Sequence, residues 1–157
     1  MKAIGFTRPL PVSNPEALLD INLPEPELRP HDILVAVQAV SVNPVDVKVR
    51  AAHTSEGGAY RVLGYDAAGI VQAVGSEVRN FQVGDEVYYA GAINRQGSNA
   101  QLQAVDARIA AKKPRSLDFA QAAALPLTAI TAWETLFDRL DVNKPVAGGS
   151  RALLLVG

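Results

Sequence analysis

The chain has no cysteine in its 157 residues, which excludes disulfides, a thiolate nucleophile and thiolate metal ligands. That absence fits a reducing compartment. Histidine is scarce too. His31 and His53 are the only two, far apart and in loop-like surroundings, and they read as surface side chains rather than a ligand pair. Neither sign of charge is in excess. Fifteen Lys and Arg face sixteen Asp and Glu for a net charge of -1, so electrostatics favours neither nucleic acid nor an anionic membrane as partner. No apolar run approaches the length of a membrane span, and the opening MKAIGFTRPLPV lacks the apolar core of a signal peptide. A cytoplasmic location is the expectation. Apolar material is plentiful: with 48% hydrophobic and 20% charged residues the chain can bury a core, and its length suits one ordinary domain.

That apolar material is patterned mainly as strands. Residues 2–7 read as a first strand, residues 8–15 as a proline-bearing loop, and residues 18–27 as an extended segment. Residues 33–42 are the clearest strand, with Ile33, Val35, Val37 and Ala39 alternating with Leu34, Ala36 and Gln38. Asn43 then suits a helix cap and Pro44 a first helical turn, so a short helix is expected over residues 45–51. Residues 53–61 read as a loop. Residues 67–74 are small, β-branched and apolar, a buried strand. Residues 81–85 form a turn in which Gly84 can take positive φ, and residues 86–89 are the next strand. Two more strands are expected at residues 98–105 and 109–112. From Ser116, a candidate cap, the period becomes helical: residues 119–124, ended or kinked by Pro126, and residues 128–140. Trp133 and Phe137 read as core. Gly148-Gly149-Ser150 is a break before the apolar residues 151–157, a strand of the kind buried in parallel sheets. A parallel strand needs neighbours and none follows, so the chain reads as truncated.

Four stretches together carry a family resemblance. They are Ala39-Val40-Ser41-Val42-Asn43-Pro44-Val45-Asp46; the glycines Gly64, Gly69 and Gly75 with Tyr65, Asp66 and Val78; Val83-Gly84-Asp85-Glu86-Val87; and residues 123–132, AALPLTAITA. The chain resembles the N-terminal catalytic domain of the medium-chain dehydrogenase/reductases, nearest to zinc-free quinone oxidoreductases and the zinc-type alcohol dehydrogenase-like branch. The resemblance implies a mainly β fold with short helices. A GroES-like β-barrel would occupy residues 1–115, and linking helices with the first strand of a truncated Rossmann domain would occupy residues 116–157. It implies hydride transfer from NAD(P)H to a quinone or an α,β-unsaturated carbonyl, a small-molecule substrate, and an assembly that can be a homodimer. Family habit favours NADP(H); the residues that would choose follow the glycine loop of the Rossmann domain. The fragment itself is expected to be inactive. The alternatives are a zinc-free alcohol dehydrogenase-like enzyme and a non-catalytic GroES-like binding module.

The resemblance also nominates residues. Zinc members read Gly-His-Glu where this chain has Gly64-Tyr65-Asp66, and carry Cys where it has Asn43. Neither Asn43 nor Tyr65 is an ordinary zinc ligand, so no zinc is expected. Carbonyl polarisation must then come from hydrogen bonds. Asn43 can donate from its amide or serve only as a helix cap, and the two roles are compatible. Tyr65 can donate or simply wall the pocket, and family analogy points Asp66 with it into the cleft. Asp46, one turn beyond Asn43, matches an acid beside the metal site of zinc relatives and is either part of the site or structural. Lys48 stands where some quinone reductases carry Tyr and leans to a surface role. Thr128 and Thr131, one helical turn apart, match a helix that borders the nicotinamide. They can contact the cofactor or bond back to their own helix.

Overall fold

The computed structural model describes residues 1–53, 55–144 and 153. The strands form two antiparallel sheets. The smaller has the order β2-β1-β4, from β1 (Lys2–Phe6), β2 (Leu19–Asn22) and β4 (Arg61–Val62). The larger has the order β7-β3-β5-β6-β8, from β3 (Asp32–Ser41), β5 (Asp66–Val74), β6 (Glu86–Ala90), β7 (Leu102–Asp106) and β8 (Ala110–Lys112). A single bridge between Ala3 and Ala100 and the bond from the Ile4 N–H to the Asn99 carbonyl (2.9 Å) tie β1 to the segment entering β7. This is the mainly β, GroES-like fold expected.

Alternation decides which faces meet. Ile33 and Val35 on β3, Ala67 and Val71 on β5, Val87 and Tyr89 on β6 and Val105 on β7 form one buried cluster. Val78 and Phe81, from the connection between β5 and β6, close it. Polar groups inside are paired, as burial demands. The Tyr89 hydroxyl donates to Gln103 Oε1 at 2.8 Å, and Gln103 Nε2 donates to the Gln96 carbonyl at 3.1 Å. Asp32, at the start of β3 and 2% exposed, takes both guanidinium arms of Arg95 at 2.9 and 2.6 Å.

Three helices follow the strands' logic. Helix α1 (Pro44–Ala52) starts where expected, with Asn43 extended at φ -121°, ψ 159° as its cap and Pro44 in its first turn. Helix α2 (Phe119–Ala123) is capped by Asp118, whose carboxylate accepts from the Gln121 N–H at 2.7 Å, not by Ser116. Its Ala122 and Ala123 pack against Ala68 of β5, where only methyl-sized side chains allow so close an approach. Pro126 opens α3 (Pro126–Trp133) rather than ending a helix, the first-turn position in which a missing N–H costs nothing. The helical run expected to Leu140 continues as a π-helical segment, Glu134–Arg139.

Other boundaries differ in small ways. The loop expected over residues 53–61 contains a 3₁₀ turn at Glu56–Gly58 and runs into the two-residue strand β4. Residues 98–101 precede β7 rather than belonging to it. His53 is half-buried, its ring edge-on to Phe6 at 5.5 Å, while His31 is exposed. Trp133, expected in a core, is 64% exposed and stacks at a tilt on Phe137 with centroids 4.5 Å apart. The chain divides into two compact units, Met1–Leu127 and Thr128–Gly157, so residues 116–127 cluster with the barrel. Apart from Leu153, the strand expected over 151–157 lies outside the described residues. Among the described residues no helix is long and apolar enough to cross a membrane.

Candidate functional site

The site grows from the end of β3. Ser41 pairs with Asp66 in the antiparallel register of β3 and β5, so Asn43, two residues on, comes beside the start of β5 although 23 positions separate it from Asp66. Four backbone and side-chain N–H groups there converge on two carboxylates. Asp46 Oδ2 accepts from the Asn43 backbone N–H at 2.8 Å, and Asp46 Oδ1 accepts from the Gly64 N–H at 2.9 Å. Asp66 Oδ2 accepts from Asn43 Nδ2 at 2.9 Å, and Asp66 Oδ1 accepts from the Leu127 N–H at 2.8 Å. Asn43 and Asp46 are each 5% exposed and Asp66 is fully buried. Gly64 is required at its place: its φ is +105°, and an added Cβ would run into the Ser98 hydroxyl and the Asn99 backbone.

Burial pushes the Asp66 carboxyl above the usual carboxylate range. The bonds from Asn43 and Leu127 oppose that shift, and the neighbouring Asp46 adds to it. Tyr65, 5% exposed, has its phenol pushed up by burial, with the Arg61 guanidinium opposing and Asp46 reinforcing. The Tyr65 hydroxyl is buried and has no hydrogen-bond partner among the described residues. A polar atom in that state is costly in a core and useful in a binding site.

Of the residues nominated from the sequence, Asn43, Asp46 and Tyr65 lie in one cluster of the first unit. Lys48 is exposed on α1. Thr128 and Thr131 belong to the second unit, where both are exposed and one turn apart on α3. The sequence reading under-weighted Asp66. The signal for it was the β3–β5 register, which two alternating apolar runs and the Gly64-Tyr65-Asp66 turn could have supplied.

The chemistry of these donors does not suit a catalytic zinc, which takes about three protein ligands from Cys, His and Asp/Glu. Asn43 offers a carboxamide and Tyr65 a buried phenol. All four carboxylate oxygens of Asp46 and Asp66 already accept N–H bonds. Among the described residues no group of three His, Cys, Asp or Glu is placed to hold a metal ion.

Two antiparallel sheets in these orders thus carry a buried polar cluster just beyond the end of their longest strand. Residues 29–115 match the family described as the alcohol dehydrogenase GroES-like domain, and the chain belongs to that family. It is 41% identical over 157 residues to a zinc-type alcohol dehydrogenase-like protein of Staphylococcus epidermidis, covering 99% of this chain and 46% of that protein. It is 38% identical over 148 residues to a chloroplastic NADPH-dependent alkenal/one oxidoreductase of Arabidopsis thaliana, covering 88% and 37% respectively. Among solved structures it is similar to a Rhizobium etli CFN 42 protein assigned as a zinc-dependent alcohol dehydrogenase. The TM-score is 0.92 and the identity 58%, over 97% of this chain and 44% of that one. The chain thus spans about half the length, or less, of these relatives, which are oxidoreductases of the medium-chain dehydrogenase/reductase superfamily.

Proposed function

We propose that the intact protein is an NAD(P)H-dependent oxidoreductase that reduces an α,β-unsaturated carbonyl, quinones included, without zinc. Asn43 and Tyr65 are the groups that hold the acceptor oxygen. The observation that carries this reading is the Asn43 amide. It is a buried donor just beyond the end of the longest strand, fixed at 2.9 Å by Asp66.

The reduced nicotinamide, when bound, supplies the hydride. The residues of this chain act on the other end of the acceptor. As hydride arrives at the β-carbon of an enone, negative charge develops on the carbonyl oxygen, and a donor aimed there stabilises the transition state more than the ground state. A carboxamide N–H and a phenol O–H can both do this without a metal. Asp46 contributes by holding the Asn43 and Gly64 backbone, since both its oxygens accept N–H bonds. Thr128 and Thr131 are assigned to the cofactor. NADP(H) is favoured over NAD(H), and the Arabidopsis relative's name, which joins NADPH to an alkenal or enone, supports the pairing.

The test is turnover of a simple enone and a quinone by the intact protein with NADPH, before and after exhaustive chelation. Turnover that survives chelation is expected. Loss of turnover that returns only with zinc overturns the zinc-free reading. Asn43→Ala separates donor from cap. Loss of a donor lowers kcat by roughly a hundred- to a thousand-fold. Loss of a cap alone lowers stability by about 1 kcal/mol and spares kcat.

A further inference from the structure

We propose that Asp66 is a positioning residue that decides which end of the Asn43 amide faces the substrate. This inference rests on the reading of Asn43 as the oxygen-holding donor. A carboxamide is nearly symmetric in shape: rotating it by half a turn exchanges its N–H₂ and its oxygen with little steric change. At a site that must donate to a developing oxyanion, the two orientations have opposite consequences. One stabilises the charge and the other repels it.

The fold removes the ambiguity. Asp66 Oδ2 lies 2.9 Å from Asn43 Nδ2, and in its carboxylate form, which the Asn43 and Leu127 N–H bonds favour against burial, Asp66 can only accept, so it selects the nitrogen and rejects the amide oxygen. The carboxylate cannot itself turn away, because Oδ1 is held by the Leu127 N–H at 2.8 Å. The Asn43 main chain cannot turn either, because Asp46 grips its N–H at 2.8 Å and Pro44 follows. With one Nδ2 hydrogen bonded to Asp66, the second remains for a ligand. Asp66 touches no substrate in this account; it acts through Asn43. It also accepts from the Leu127 N–H, so one buried carboxylate fixes both the oxygen donor and the last residue of the first unit.

The experiment has one arm that needs no activity. In this 157-residue chain, labelled for NMR, the Asn43 side-chain amide and the Leu127 backbone amide are expected to exchange slowly. Both should lose protection at least tenfold in Asp66→Asn, whose own amide can face Asn43 with either end. Unprotected Asn43 amide protons in the unsubstituted chain, or protons indifferent to Asp66→Asn, overturn the proposal whatever the protein catalyses.

In the intact oxidoreductase, Asp66→Asn should lower kcat for an enone by about a hundred-fold, the scale set by a small misplacement of a reacting group, with KM little changed. If Asn43→Ala lowers kcat and Asp66→Asn does not, the positioning role is refuted. If Asn43→Ala has no effect on kcat while the NMR result holds, the functional reading of Asn43 fails and the orienting contact stands. Should Asp66→Asn unfold, the exchange pair Asn43→Asp with Asp66→Asn remakes the contact with reversed polarity. Leu127 protection and melting temperature should recover in it while turnover does not. Recovered turnover would overturn the proposal.

Discussion

At the scale of single residues, the buried polar side chains divide into those that hold the fold and those left with capacity to bind. Tyr65 is in the second group. Its hydroxyl is buried and makes no well-formed hydrogen bond among the described residues, with the Arg61 guanidinium as its charged neighbour. Tyr65→Phe should therefore leave stability unchanged or raise it slightly, by less than about 1 kcal/mol, because the substitution removes an unsatisfied group. In the intact enzyme the same change should lower enone turnover. A fall in melting temperature larger than a few degrees would mean the hydroxyl is bonded after all. Asp32 is in the first group. Burial alone would raise its carboxyl, but the paired Arg95 guanidinium and the Arg29 N–H outweigh burial and hold it below its ordinary value of 3.8. A carboxyl with a depressed folded-state value contributes stability above its unfolded value and loses it as pH falls through the folded one. Arg95→Ala should then cost about 3 kcal/mol near pH 7 by leaving a buried carboxylate unpaired. The gap from the unsubstituted chain should close as the pH is lowered below 3.8, as read by urea unfolding at several pH values.

At the scale of elements, the turns set what the strands can do. Gly75 and Gly84 flank the connection between β5 and β6, and the structure distinguishes their reasons. Gly84 has φ +91° with open space around it, as its turn position led us to expect. Gly75 has no such φ, but an added Cβ would meet the Arg29 and Pro30 carbonyl oxygens at 2.2 and 2.3 Å, both of them backbone. Gly84→Ala should cost about 1–2 kcal/mol, the strain of the left-handed region. Gly75→Ala should cost more, about 3 kcal/mol, since two main chains must part. Equal losses in chemical denaturation would contradict this ordering. The elements also mark how far sequence could go. Alternation in β3 and the Asn43-Pro44 cap were legible because each signal is local. The two-residue strand β4 was not, because it exists only through its pairing with β1. Asp118 displaced Ser116 as the α2 cap because it stands one residue before the helix and its carboxylate reaches Gln121.

At the scale of the molecule, the described residues of the two units differ in how much they bury. The first contains the apolar cluster of β3, β5, β6 and β7, while the second leaves Ile130, Trp133 and Leu140 exposed at 50%, 64% and 58%. Periodicity foresaw the helical spacing of these three and not their exposure, since a 3.6-residue stripe states that a face is apolar and not what covers it. The assigned cofactor contacts in this chain are two hydroxyls, and pyrophosphate recognition requires a glycine loop at a helix N-terminus. Titrated alone with NADPH, the chain should show no dissociation constant tighter than about 1 mM, near 4 kcal/mol of binding. A micromolar constant by calorimetry would mean that the barrel unit holds far more of the cofactor than the two threonines.

Strand β3 carries one more implication. It is hydrogen-bonded on one side to β5, its neighbour after α1, and on the other to β7, with Ala36 opposite Leu102 and Asp32 opposite Asp106. The β7 partner thus arrives about sixty residues after β3 has been made, and the loop between them must be drawn closed before its contacts give anything back. During synthesis the β7-facing side of β3 waits for several seconds at ordinary elongation rates. Sheets so dominated by distant pairings fold in milliseconds to seconds rather than microseconds. The strand that leads to Asn43 is therefore among the last to gain its full set of neighbours, and the Asp66–Leu127 bond of the polar cluster forms later still, since Leu127 follows β7 in the chain.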